Sequence, residues 1–149
     1  MYKTLFALAT GGFLFSGYMS GVKFFSGNCA FNEGCPYFLG YPACYYGFVM
    51  FTTIFVLSVL LWLRKMDAVK ALTSLAVVGV LGILFAGYYT VGELSVLFNE
   101  GLGAYLLGLP TCAYGLIFYV AITGLALKAR CAARKAAPVD TATPETPTV

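Results

Sequence analysis

Four stretches of the chain carry no charged residue and are each long enough to cross a membrane: Leu5 to Val22, Ala43 to Leu63, Ala71 to Gly92, and a last one within Gly103 to Leu127. A helix needs about 20 apolar residues to span the hydrocarbon core. The composition points the same way, with 60% of the residues hydrophobic and 10% charged, against about 25% charged in soluble domains. The expected medium is a lipid bilayer.

Charges fall between these stretches and sort by sign. Lys3 precedes the first; Arg64, Lys65 and Lys70 separate the second from the third; Lys128, Arg130, Arg134 and Lys135 follow the fourth. The other two connections hold Lys23, Glu33, Glu93 and Glu100. Basic residues mark cytoplasmic loops, so a multi-pass integral membrane protein with cytoplasmic N- and C-termini is expected. The net charge of +3 is spent on topology and forms no nucleic-acid patch.

The chain also repeats itself. "LFSGY" at Leu14 returns as "LFAGY" at Leu84, "FNEG" at Phe31 returns at Phe98, and "YFLGYPACYYG" at Tyr37 returns as "YLLGLPTCAYG" at Tyr105. The offsets are 70, 67 and 68 residues, the drift expected of a duplication with loop insertions. Lys3 followed by an apolar run also resembles a cleavable signal peptide, but the counterpart of the first helix in the second copy argues for its retention. Each copy has two crossings, so both enter the membrane from the same side, as parallel repeats about an axis along the membrane normal. The expected fold is all-α: an integral membrane four-helix bundle of two tandem parallel two-helix repeats. The first repeat covers 1–65, the second 66–130, and a disordered cytoplasmic Pro/Thr/Ala tail covers 131–149.

Small residues let helix backbones approach closely in lipid. Gly17 with Gly21, Gly82 with Ala86, Gly40 with Cys44 and Gly108 with Cys112 have the required spacing; lipid-facing glycine is the bland reading. Proline is favoured at the first helical position. A second crossing that starts at Pro42 puts Cys44 in its first turn, and Pro110 does the same for Cys112, unless Pro110 kinks a longer helix beginning near Gly103. Tyr37, Phe38, Tyr41 and Tyr105 suit one interfacial layer, and Trp62 marks the opposite edge.

Absences narrow the chemistry. The chain has no histidine, which removes His-ligated haem, Cys/His zinc sites and Cys-His or Ser-His nucleophile pairs. It has no phosphate-binding glycine loop, and none of the four stretches contains the carboxylate that ion carriers use. Cysteine remains: Cys29, Cys35, Cys44 and Cys112 map to the outer side, where disulfides persist if that compartment is oxidising, and Cys131 to the cytoplasm. Cys44 and Cys112 are repeat mates at equal depth. If both face the axis, their Cα atoms can come within the roughly 4.4 to 6.8 Å that a disulfide requires. Cys29 and Cys35 form a C-x5-C pair in a loop containing Gly, Asn and Glu. Structural staples, or small residues filling helix contacts, explain the same four cysteines without chemistry.

The loop pair followed by "FLGYP" and "YYGFVMF", over Cys29 to Phe51, resembles the vitamin K epoxide reductase family, which has paired loop cysteines before a similar helix start in a four-helix bundle. That resemblance implies a membrane thiol-disulfide oxidoreductase: the loop pair exchanges disulfides with a partner, and a C-x-x-C pair on the last helix passes electrons to a quinone. Here "LPTC", Leu109 to Cys112, has leucine in place of the first of those two cysteines. Cys44, the repeat mate of Cys112, is the substitute partner available in this chain.

The catalytic candidates are therefore Cys29 and Cys35, toward an extracytoplasmic thiol protein, and Cys44 with Cys112, toward a quinone. The two "FNEG" copies offer Asn32, Glu33, Asn99 and Glu100 as oxygen ligands, but two carboxylates fall short of a calcium shell; solvated turns are expected, and no metal. The competing class is a membrane subunit or scaffold with structural cysteines, whose glycine faces bind neighbouring membrane helices.

Overall fold

A computed structural model of the chain describes residues 2–27, 37–100 and 111–136, in side-chain detail except at 95–100 and 136. Its helices are α1 (Tyr2–Ser26), α2 (Ala43–Trp62), α3 (Ala68–Glu100) and α4 (Thr111–Ala136), and a two-stranded hairpin, β1 (Tyr37–Phe38) with β2 (Tyr41–Pro42), precedes α2. All four helices are long and apolar enough to cross a membrane.

Contacts at glycine fix the helix directions. A Cβ on Gly12 would strike the Phe51 ring, and one on Gly17 would touch Phe48 at 3.4 Å; α1 therefore ascends as α2 descends. Gly79 faces Thr123 and Gly82 faces Tyr119, so α3 and α4 are antiparallel as well. Gly11 meets Phe118 at 3.4 Å, and Phe15 packs on Phe118 and Tyr114. The closest pairs are α1 with α2 and α3 with α4, and the two hairpins join through α2 against α3 and α1 against α4. Leu5, Ile54, Leu72, Leu75 and Ile122 fill the interior. One end of the bundle thus holds the starts of α2 and α4, the cysteine end, and the other holds the starts of α1 and α3, the basic end.

Some glycines do not act as their spacing predicts. A Cβ on Gly21 would meet nothing within 4 Å, and Gly40 lies in a turn with φ of 86° rather than in a helix. Strand register Tyr37 to Pro42 and Phe38 to Tyr41 leaves Leu39-Gly40 as a two-residue loop with both φ positive, the mirror-image turn that matches strand twist. Pro42 sits one residue before α2 as its N-cap, with φ −60° and ψ 138°.

The connection at the basic end is closely specified. Arg64 N–H donates to Leu61 O at 3.2 Å and Lys65 N–H to Leu60 O at 3.1 Å, the paired bonds of a Schellman stop. Its left-handed residue, usually glycine, is Arg64 with φ of 51°, a conformation that costs an ordinary residue about 1–2 kcal/mol. Asp67 then starts α3: Oδ1 accepts from the N–H of Val69 at 2.8 Å and of Lys70 at 3.2 Å. Asp67→Ala is expected to lower stability by about 1 kcal/mol, read as a shift in thermal unfolding of the protein in detergent.

Two boundaries move. α4 continues to Ala136, past the expected start of the tail at 131, because "KARCAARKA" is made of helix formers and puts Arg134 and Lys135 in the last turn, where cations meet the negative end of the helix dipole. Glu93, expected in a connection, lies within the candidate span Ala68–Leu94 with its Oε2 buried, so the third span does include a carboxylate.

Candidate functional site

Cys44 and Cys112 are the second residues of α2 and α4, and both line one cavity of about 70 Å³ at the cysteine end. The local sequence explains the placing of Cys44: Pro42 stops the hairpin and admits the helix at Ala43. α4 is described from Thr111, and Pro110, with the choice between a helix start and a kink there, lies outside the described residues. Ser20 Oγ donates to the Cys44 carbonyl at 3.1 Å, tying the start of α2 to α1. Both cysteines are half-buried and carry thiols.

Twelve of the thirteen lining residues fall into six pairs separated by the repeat offsets of 70 or 68. From α1 and α3 come Phe15 with Phe85 and Ser16 with Ala86. From α2 and α4 come Ala43 with Thr111, Cys44 with Cys112, Gly47 with Gly115, and Phe51 with Tyr119. Met19 is the thirteenth. Phe51 and Tyr119 stack across the interior at 4.3 Å and 14°, each set against the matched glycine, Gly12 or Gly82. The Tyr119 hydroxyl also donates to the Gly47 carbonyl at 3.3 Å, linking α4 to α2. Phe15 packs on Tyr114 at 6.3 Å, and its counterpart Phe85 packs on Tyr46 at 5.7 Å.

Phe85 is also a wall of a second, larger groove of about 580 Å³, which Phe38, Tyr41, Tyr45, Tyr46, Val49, Met50 and Leu81 complete. The hairpin closes it: Tyr46 donates its hydroxyl to the Phe38 carbonyl at 3.2 Å, and the Phe38 ring meets Tyr46 at 5.3 Å and Phe85 at 5.7 Å, edge to face. An apolar cavity holding two thiols thus abuts an aromatic groove of the size that takes a small organic ligand, about 300–1,000 Å³.

Cys29 and Cys35 lie outside the described residues, as do Asn32 and Glu33 and the side chains of Asn99 and Glu100. On either side of the undescribed residues 28–36, Lys23 Nζ donates to the Gly27 carbonyl at 2.6 Å and stands 5.7 Å from the Tyr37 ring centre. Cys131 is exposed on the basic half of α4. The sequence picks out the cysteines, and Phe38 and Tyr41 only as interfacial aromatics; the signal for Phe51 and Tyr119 is the extension of the block at Tyr37 and Tyr105 by four residues, which equates the two. Comparison with protein-family models, curated proteins and solved structures finds no match to this chain.

Proposed function

We propose that the protein is a membrane thiol-disulfide oxidoreductase in which Cys44 and Cys112 form the inner redox pair. One observation carries this reading: the two thiols line a single apolar cavity from matched positions. The matching of the other lining residues supports two parallel two-helix repeats about a pseudo-two-fold axis through the cavity. About such an axis, equivalent cysteines lie at equal depth and at equal distance from it.

In the proposed cycle an extracytoplasmic dithiol protein reduces a Cys29–Cys35 disulfide and leaves with the disulfide. The two loop thiols then reduce a Cys44–Cys112 disulfide, re-forming their own bridge and leaving two thiols in the cavity. Re-oxidation breaks two S–H bonds, makes one S–S bond and releases two electrons and two protons. A quinone supplies the sink for both when bound. Its ring fits the groove of Phe38, Tyr41, Tyr46 and Phe85 by volume and by stacking chemistry, whereas the cavity itself has room for little more than a few waters by its volume. Phe85 is the shared wall, and the apolar lining keeps water from competing for the sulfurs. The basic end is cytoplasmic in this scheme, which puts the cysteines on the oxidising side.

The reading is tested by adding a water-soluble quinone, without oxygen, to the purified reduced protein. Two quinols per protein are expected, one for a Cys44–Cys112 bridge and one for a Cys29–Cys35 bridge re-formed through it, identified by alkylation, peptide mass and absorbance. Quinol yield below a tenth of that stoichiometry, with Cys44 and Cys112 alkylated, favours the scaffold reading, in which the cysteines only pack the helix starts.

A further inference from the structure

At the basic end, a groove of about 590 Å³ runs between the start of α1 and the α2–α3 connection, lined by Tyr2, Lys3, Trp62 and Arg64 over a base of Leu61 and Met66. We propose that this groove binds the headgroup phosphate of an anionic phospholipid. The proposal does not depend on the redox reading.

Both cations reach the groove against local preference. Arg64 occupies the left-handed position of a helix stop where glycine is favoured. Lys3 lies in the first turn of α1, where a positive charge opposes the helix dipole. Neither placement helps its own element, yet the two converge on one cleft. Among the described residues, no carboxylate lines that cleft. Asp67, the one acidic residue in the connection, is occupied by the Val69 and Lys70 backbone N–H groups. The cleft therefore presents two cations to an anion, and a guanidinium can bond a phosphate through two parallel N–H groups.

Depth separates a lipid from a free anion. Tyr2 and Trp62 are each about half exposed, at 46% and 49%, and such aromatic side chains sit at the headgroup level of a bilayer. Trp62 is held in place by Phe6, with ring centres 4.8 Å apart. A phosphate held by Lys3 and Arg64 at that level leaves its acyl chains to the surrounding bilayer, an apolar anchorage that inorganic phosphate lacks. Basic pockets between membrane helices take acidic lipid headgroups by the same physics.

The test uses the full chain, delipidated in neutral detergent, with bound lipid counted by native mass spectrometry. Phosphatidylglycerol is expected to bind as one retained copy, at least tenfold tighter than phosphatidylcholine, and inorganic phosphate at millimolar concentration is expected not to displace it. Lys3→Gln with Arg64→Gln is expected to weaken phosphatidylglycerol about thirtyfold, from roughly 1 kcal/mol per basic residue. Lys3→Arg with Arg64→Lys keeps the charges and is expected to stay within threefold, which separates loss of charge from loss of fold. Lys128→Gln with Lys135→Gln, outside the groove, is expected to stay within threefold too. Equal loss from that outer pair, displacement by inorganic phosphate, or unchanged binding in the glutamine pair at positions 3 and 64 each overturns the site.

Discussion

Cys112→Ser is expected to lower quinone-dependent disulfide formation at least a hundredfold, and Cys44→Ser to do the same, with the double variant no worse than either. The reason is stoichiometric: in the proposed relay one thiol alone cannot form the bridge that carries two electrons, so the pair acts as a unit and its members are not additive. A hundredfold loss is about 2.7 kcal/mol of barrier. Stability should change much less, because serine replaces a half-buried cysteine at nearly the same volume. Cys131→Ser is the control. That residue is exposed on the basic half of α4, and its loss should leave turnover within twofold. Activity is measured as oxidation of a dithiol peptide by protein reconstituted with quinone. If either single variant retains half of the wild-type rate, the inner pair is not the relay.

Gly82→Ala is expected to destabilise the bundle by about 2–3 kcal/mol, the upper part of the range for overpacking a tight contact, and Gly12→Ala by a similar amount. A Cβ at either position overlaps an aromatic ring, Tyr119 for Gly82 and Phe51 for Gly12. Those rings cannot retreat, because they stack on each other at 4.3 Å and Tyr119 is held by the Gly47 carbonyl. In lipid there is little hydrophobic drive between helices, so close packing at small residues carries much of their association. Tyr119→Leu should recover more than half of the Gly82→Ala loss, since a smaller side chain gives the added methyl room. Gly21→Ala, with open space at its Cβ position, should cost less than about 0.5 kcal/mol, the ordinary limit for a substitution that meets nothing. Unfolding in mixed detergent micelles reads all four variants.

Several of these features are legible in the residues, and others are not, for physical reasons. The four charge-free stretches become four helices able to span a membrane because the need for internal backbone bonding leaves an apolar run of that length few alternatives. The start of α2 beside Pro42 follows from proline geometry, and with it the placing of Cys44 in a first turn; the same expectation for Pro110 and Cys112 turns on residues outside the described ones. Gly40 misleads because its spacing to Cys44 copies a helix contact. Pro42 lies between them, so the helix begins too late to include Gly40, which serves a hairpin turn instead. Arg64 is legible only as a topological charge, since a left-handed arginine comes from the Schellman hydrogen bonds and no sequence rule favours it there. The reach of α4 to Ala136 reflects alanine propensity outlasting the apolar pattern. The cavity and the aromatic groove need the register between helices, which a single sequence does not supply. Only the repeat hints at it, by equating Phe51 with Tyr119.

The central claim is that Cys44 and Cys112 exchange a bridge with each other. Membranes containing the native chain, quenched with acid and alkylated before any reduction, test it directly by peptide mass spectrometry. The account predicts a peptide pair linked through Cys44 and Cys112 in a substantial fraction of the protein, lost on incubation with dithiothreitol and regained when quinone is restored. Cys44 and Cys112 fully alkylated under every condition, with no linked peptide even after quinone, contradicts it.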